Sequence, residues 1–360
     1  MALFPWLIAP GQIQPDTKVD LTIAPWQYLA RALQAWNGHA GLGELQNQAY
    51  GYLFPMGPVF GITRSLGVTP WAAQRIWWSI LLLVAFYGVL RLVDSLGLAS
   101  PQVGLLGAAL YALCPRILTL LAENSSEAWP MALAPWLVLA ARPLLRVELH
   151  RRTLLRSVVL SGLLAAGLGG VNATASGLML LLPFLYLLTH RQGRRRLVWW
   201  IPAVVAGALW WIAPLVILGS FAYPFLDFIE TAATTTSVTS VPNILRGNSY
   251  WVPYLSNAAG QPFWQAGWVS ATSVVSVLAT TAVAGVGLVG VVRMRGHLAR
   301  FALVSIVLGT VFMALGHGGE LGSPIDEQVR ALLNGPLAPL RNVHKADALI
   351  RLPIVLGTVV

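Results

Sequence analysis

Eight apolar stretches of about twenty residues each dominate this chain, near positions 76–96, 102–121, 128–145, 154–171, 173–190, 198–219, 271–292 and 299–317. A helix needs about 20 residues to cross the hydrocarbon of a bilayer, so each stretch is long enough to be a span. A ninth begins near residue 348. Composition agrees: 56% of the 360 residues are hydrophobic and 10% are charged, against about 25% charged in soluble domains. The expected fold class is an all-α polytopic membrane protein.

Basic residues fix the orientation, because cytoplasmic loops are enriched in Lys and Arg. Arg142, Arg146, Arg151, Arg152 and Arg156 fall in the loop 142–156. Arg191, Arg194, Arg195 and Arg196 fall in 190–197, and Arg293, Arg295 and Arg300 in 293–300. If every stretch crosses once, all three loops lie on one side, the cytoplasm. The chain carries 13 Asp and Glu. This topology leaves only Asp94 and Glu148 inside and the rest outside. The expected result is a polar active face on the extracytoplasmic side of a multi-pass plasma-membrane protein.

The net charge of +10 is no sign of a nucleic-acid partner, since the arginines sit beside apolar spans. Clusters such as Arg194–Arg196 favour anionic lipid headgroups instead. Cys114 is the single cysteine, so no intrachain disulfide forms. The 15 tryptophans fit an aromatic belt at the span ends. There is no metal-type Cys/His spacing and no phosphate-binding glycine loop. The apolar run Met1–Pro10 is too short to cross, carries no signal-peptide features, and the last run stops at Val360. These ends are expected of a fragment, in which residues 1–360 form one transmembrane domain.

Two outer loops, 11–74 and 220–270, are far longer than a simple connection needs. In the first, Ile23, Trp26, Leu29, Leu33 and Trp36 recur at helical spacing, which predicts a helix lying flat in the interface. The following apolar segment is interrupted by Pro55, Gly57 and Pro58 and reads as re-entrant or interfacial. The Thr-rich run 231–241 is expected to be mobile.

Four polar clusters are candidates for chemistry. In PDTKVD, Asp16 and Asp20 stand four residues apart and share a face if the segment is helical. Either suits a general base acting on a sugar hydroxyl, and Lys18 suits a lipid phosphate. The bland reading is a capped, solvated turn. The tight loop ENSSE offers Glu123 and Glu127, or simply a solvated turn with Glu127 at a helix start; its Asn124-Ser125-Ser126 also fits the weak N-glycosylation pattern. The third cluster joins Asp227 and Glu230 to Arg246, Asn248, Tyr250 and Trp251. Such a mix hydrogen-bonds and stacks on a sugar, or anchors a loop to headgroups. The fourth, RNVHKAD, places His344 and Lys345 before a span that contains Arg351. A cationic cluster at a helix start suits phosphate, and a charge inside a span usually faces a polar cavity, unless it snorkels to the interface. Arg116 has the same two readings. His39 and His317 read as structural.

The strings PGQIQPDTKVDL, LQNQAYGYLFPMGP, ENSSEAWP and RNVHKADALIRLP, in this order, closely resemble the membrane region of the AftD family of actinobacterial α-(1→3)-arabinofuranosyltransferases. The resemblance implies a GT-C glycosyltransferase fold with its active site in outer loops. Full-length members are far longer and carry carbohydrate-binding modules that this chain lacks. It also implies a decaprenyl-phosphoryl-arabinofuranose donor, an arabinan acceptor of arabinogalactan or lipoarabinomannan, and α-(1→3) branching. GT-C enzymes use an acidic residue of the first outer loop, for which Asp16 is the best match and Asp20 the rival. A β-linked donor and an α product imply a single inverting displacement with one general base. Lys345, His344, Arg351 and Lys18 are the expected phosphate ligands. Glu123, Glu127, Glu230, Arg246, Asn248, Tyr250 and Trp251 are expected to contact substrate. No cofactor is required on this reading, and a divalent cation stays open. Two alternatives are a GT-C enzyme for another lipid-linked sugar such as mannose, and a lipid-linked sugar transporter. The transporter would place charge at the midplane, often within inverted repeats, which this sequence does not show.

Overall fold

In a computed structural model the chain is mostly helical, with almost no sheet. It describes every residue except Thr17, His39–Gly41, Asn47, Gln48 and Glu320. His39 therefore lies outside the described residues. Among those described, five helices are long and apolar enough to cross a membrane: Pro70–Leu96, Ser125–Leu145, Arg191–Gly219, Val274–Arg293 and Gly296–Ala314. The pair Pro101–Ala112 and Pro115–Leu121 makes a sixth if counted as one span bent by 49°. Pro115 explains the bend, because proline has no N–H to give and disfavours helix at the residue before it. The stretches predicted at 154–171 and 173–190 are helices too, Arg151–Gly167 and Ala173–Leu188. They have 17 and 16 residues, short of the length expected of a full crossing.

The chain divides into two compact units: Met1–Gly88 with Leu120–Tyr223, and Val89–Thr119 with Pro224–Val360. In the first unit, Gly162 and Gly207 let helices Arg151–Gly167 and Arg191–Gly219 meet backbone to backbone. Tyr50, Leu144, Leu187, Trp200 and Trp211 fill the core beside them. In the second, Gly287 and Gly290 bring helix Val274–Arg293 equally close to helix Ala348–Thr358 at Ile354 and Gly357. Small residues at crossings are how helices in lipid gain dispersion contacts. Long stretches of apolar side chain face outward, among them Val198, Trp199, Val205, Leu209, Val216 and Ile217 of one helix. In a chain with this many apolar spans, lipid is the natural cover for such a surface.

The first long loop differs from its sequence reading. Ile23 and Trp36 do not belong to one helix with Trp26. Helix Val19–Ile23 ends at Ala24, and Pro25 opens a second helix, Pro25–Ala32, since proline is tolerated in a first turn. Trp36 then sits in a two-residue strand paired with Glu44–Leu45. The segment around Pro58 is a helix, Met56–Ser65; Pro58 stands in its first turn, where no N–H is needed. Gly57 and Gly61 face helix Pro25–Ala32, against Leu29 and Trp26. Between the two helices runs an apolar groove of about 430 Å³, lined by Trp26, Leu29, Ala30, Leu33, Pro58 and Ile62.

The Thr-rich run is not a free loop. Helix Ala232–Thr236 occupies it, capped by Thr231, and Thr235, Thr236 and Thr239 are fully buried. Their hydroxyls find backbone carbonyls, as when Thr235 donates to Arg341 O at 2.8 Å. Hydroxyls satisfied in this way can be packed without the cost of an unpaired donor.

Candidate active-site residues

In the first unit the centre is Asp16, 1% exposed. Three neutral donors hold its carboxylate. The backbone N–H of Ser125 reaches Oδ1 at 2.7 Å. Trp78 Nε1 and Ser125 Oγ reach Oδ2 at 2.7 and 2.6 Å. Ser125 opens helix Ser125–Ala141, so a residue more than a hundred positions away supplies that helix's N-terminal acceptor. The helix dipole favours the carboxylate there. Trp77 Nε1 donates to Ser125 Oγ at 2.8 Å, and the Trp77 ring packs against Trp129 with centroids 5.0 Å apart.

The segment before Asp16 is tied to helix Pro70–Leu96, which carries Trp77 and Trp78. Gln74 exchanges two 3.0 Å hydrogen bonds with the Gln14 backbone. Arg75 donates to the carbonyls of Ile8 and Ala9, and its guanidinium lies 4.5 Å from the Trp78 ring centroid, a cation–π distance. Burial pushes the Asp16 carboxyl up to about 6, against the opposing pull of Ser125, Trp78 and the Arg75 charge. The shift moves the carboxyl from the ordinary acid range towards the working pH that suits a general base.

Asp20 is its opposite. It lies in helix Val19–Ile23, which begins after Asp16, so the two carboxylates do not share a helical face. Its side chain is 66% exposed and pairs with Arg31 at 3.1 Å. Lys18 is exposed at the helix start. Glu127 is buried and accepts from Asn172 Nδ2 at 2.9 Å, and Asn172 in turn caps helix Ala173–Leu188. Glu127 therefore joins two helix starts, while Glu123 is half-buried beside it. Sequence reasoning missed Ser125, Trp77, Trp78 and Arg75. The two tryptophans read as belt residues, yet they are 1% and 0% exposed. Gln74 and Arg75 fall just before the predicted span 76–96, and the helix that extends back to Pro70 includes them.

The second unit holds the cations. Arg351 spends four hydrogen bonds internally: two on Asp347, one on Leu245 O and one on Ile244 O. Its ion pair with Asp347 is 3.0 Å long and buried. A guanidinium has five N–H donors, and four of those of Arg351 are engaged within the chain. It staples the end of helix Val241–Arg246. Gly247, in a left-handed conformation at φ 82°, leaves the room, for a Cβ there would stand 2.8 Å from Arg351 Nη2. Arg246 is likewise engaged, with Thr280, Asn243 and the Ala271 carbonyl.

Tyr250 gathers the rest. The His344 ring lies 4.7 Å from it and Arg116 sits 4.7 Å from its centroid. Trp251 Nε1 donates to Asn342 at 2.9 Å, and Asn342 donates to Glu230. Lys345 is half-buried next in sequence. Asn248 accepts from Ser270 at 3.2 Å. Its Nδ2 and the Ser249 hydroxyl are buried with no hydrogen-bond partner among the described residues. Buried donors of this kind are normally met by water or a ligand. Among the described residues no group of three or more His, Cys, Asp or Glu is placed to hold a metal ion.

Lipid-facing helices, interfacial helices in the first long loop and a buried acidic residue just before them define a multi-pass membrane domain of the GT-C glycosyltransferase class. Residues 1–360 match the family described as the N-terminal GT-C domain of alpha-(1->3)-arabinofuranosyltransferase, and the chain belongs to it. It is 44% identical over 359 residues to the alpha-(1->3)-arabinofuranosyltransferase of Mycolicibacterium smegmatis, covering 98% of this chain and 24% of that protein. It is 42% identical to that of Mycobacterium tuberculosis, covering 97% and 25%. A cryo-EM structure of the arabinofuranosyltransferase AftD from mycobacteria superposes over 99% of this chain and 23% of that one, with a TM-score of 0.77 and 35% identity. The chain thus spans about a quarter of the length of its curated relatives.

Proposed function

We propose that this chain is the catalytic membrane domain of an inverting arabinofuranosyltransferase. The observation that carries the reading is Asp16: a carboxylate withdrawn from water, held by neutral donors and titrating near 6, in a member of this family. The donor is decaprenyl-phosphoryl-arabinofuranose and the acceptor a cell-wall arabinan, extended by an α-(1→3) branch on the extracytoplasmic side. Asp16 takes the proton of an acceptor hydroxyl as that oxygen attacks the anomeric carbon. The bond from that carbon to the phosphate oxygen breaks, and the lipid phosphate leaves with the electron pair. One base suffices for a single inversion. Charge grows on the leaving phosphate, and fixed cations lower that barrier.

Lys345 and His344 fill the phosphate-binding role, and Arg116, grouped with His344 around Tyr250, joins them. Glu230, Asn248, Tyr250 and Trp251 serve the sugar. The groove between helices Pro25–Ala32 and Met56–Ser65 takes part of the polyprenyl chain, since its lining offers almost nothing but carbon. The test is to supply purified full-length protein with lipid phosphates carrying labelled arabinofuranose or labelled mannose, in detergent and in sealed vesicles. New α-(1→3)-arabinofuranosyl linkages are the expected product. Transfer of mannose alone, or movement across vesicles without a new glycosidic bond, overturns the proposal.

A further inference from the structure

Every polar donor around Asp16 has a fixed direction. An indole N–H donates and never accepts. Trp77 therefore obliges Ser125 Oγ to accept, at 2.8 Å. The one hydroxyl proton of Ser125 is then left for Asp16 Oδ2, at 2.6 Å. Trp78 gives its own N–H to the same oxygen at 2.7 Å. A carboxylate offers about four lone-pair sites. Two on Oδ2 are occupied, and one on Oδ1 is taken by the Ser125 backbone N–H at 2.7 Å. Among the described residues, that leaves the remaining acceptor site on Oδ1.

Taking Asp16 as the base proposed above, we infer that Trp78 and Ser125 are positioning residues: they clamp Oδ2 so that Oδ1 alone receives the acceptor's proton, and Trp77 locks the Ser125 hydroxyl in the orientation this needs. Both donors are neutral. They restrain the carboxylate without cancelling its charge or competing for the proton. The charge that acts on Asp16 through space is Arg75, on the same helix as Trp78. Lys18 and Asp20 follow Asp16 in its own segment, and Glu123 and Glu127 flank Ser125. Each is left intact in the test.

The same contacts would serve a purely structural purpose, with Asp16 as a remote helix cap. The two roles differ in one readout. A positioning donor also stabilises the ionised base, so losing it raises the pH at which activity is half lost. The experiment is the pH profile of kcat/KM for full-length protein carrying Trp78→Phe, Ser125→Ala or Ser125→Thr, with thermal stability followed in parallel. Trp78→Phe and Ser125→Ala are expected to move the acid limb upward by about one pH unit. They should lower kcat roughly ten- to a hundred-fold at the plateau, with little change in donor KM. Ser125→Thr keeps both the hydroxyl and the N–H and is expected to restore the limb. Acid limbs that stay in place in Trp78→Phe and Ser125→Ala, alongside an inactive but folded Asp16→Asn, overturn the inference and leave the base intact. If Trp78→Phe does not fold, Ser125→Ala decides alone. Full activity in Asp16→Asn overturns the base itself.

Discussion

The carboxylate of Asp16 and the guanidinium of Arg351 are both almost wholly withdrawn from water, and they meet that condition in opposite ways. Arg351 is neutralised on the spot by Asp347 and spends two more donors on backbone carbonyls. Such a pair closes on itself, and its energy goes into holding helix ends together. Among the described residues Asp16 has no ionic contact of that kind. Its partners are two indoles, a hydroxyl and a peptide N–H, the first indole acting through the hydroxyl. Dipoles hold a charge in place without removing it, so the group keeps its capacity to bind a proton. Burial alone does not separate a functional charge from a structural one; the nature of the neighbours does.

Substitutions sharpen that contrast. Asp16→Asn keeps the shape and removes the base. It is expected to lower transfer roughly a hundred- to ten-thousand-fold while donor binding persists, measured on protein whose folding is checked by thermal unfolding. Loss of activity that merely follows loss of fold would make Asp16 a cap like any other. Arg351→Met should do the reverse. It strands the Asp347 charge and two carbonyls, and the expected cost is about 3–5 kcal/mol of stability, seen as early unfolding in detergent. A stable Arg351→Met protein that fails only to bind donor would return Arg351 to the phosphate. Asp20→Asn breaks an exposed pair with Arg31. Its expected effect on stability is below about 1 kcal/mol, with transfer near wild type; an inactive Asp20→Asn would move the base to Asp20.

The sequence already held much of this contrast, unevenly. The helices were legible because lipid demands long apolar runs, and their breaks were legible at Pro25 and Pro115 once proline is read as a boundary. Asp16 was visible as a polar residue beside a span. Its shell was not, because Ser125 and Trp78 are brought to it across 109 and 62 positions of chain, and nothing local marks such a meeting. The pairing of Arg351, by contrast, was legible locally. A charge within a span suggests a cavity, but Asp347 stands four residues earlier, the spacing that pairs side chains on one helical face. That spacing was the sign of a closed pair. The phosphate role proposed for Lys345 and His344 rests on residue types that the sequence shows; the fold adds that His344 packs against Tyr250.

The most direct measurement is the pH dependence of kcat/KM for the full-length protein with its natural residues. Asp16 must be ionised to accept a proton, and its carboxyl is pushed up to about 6 by burial. Activity should therefore climb as pH rises through about 6 and level off above it. A rate that stays flat from about pH 4.5 to about pH 7 would mean that no buried carboxylate of this kind takes the acceptor's proton, and the account built on Asp16 would fall.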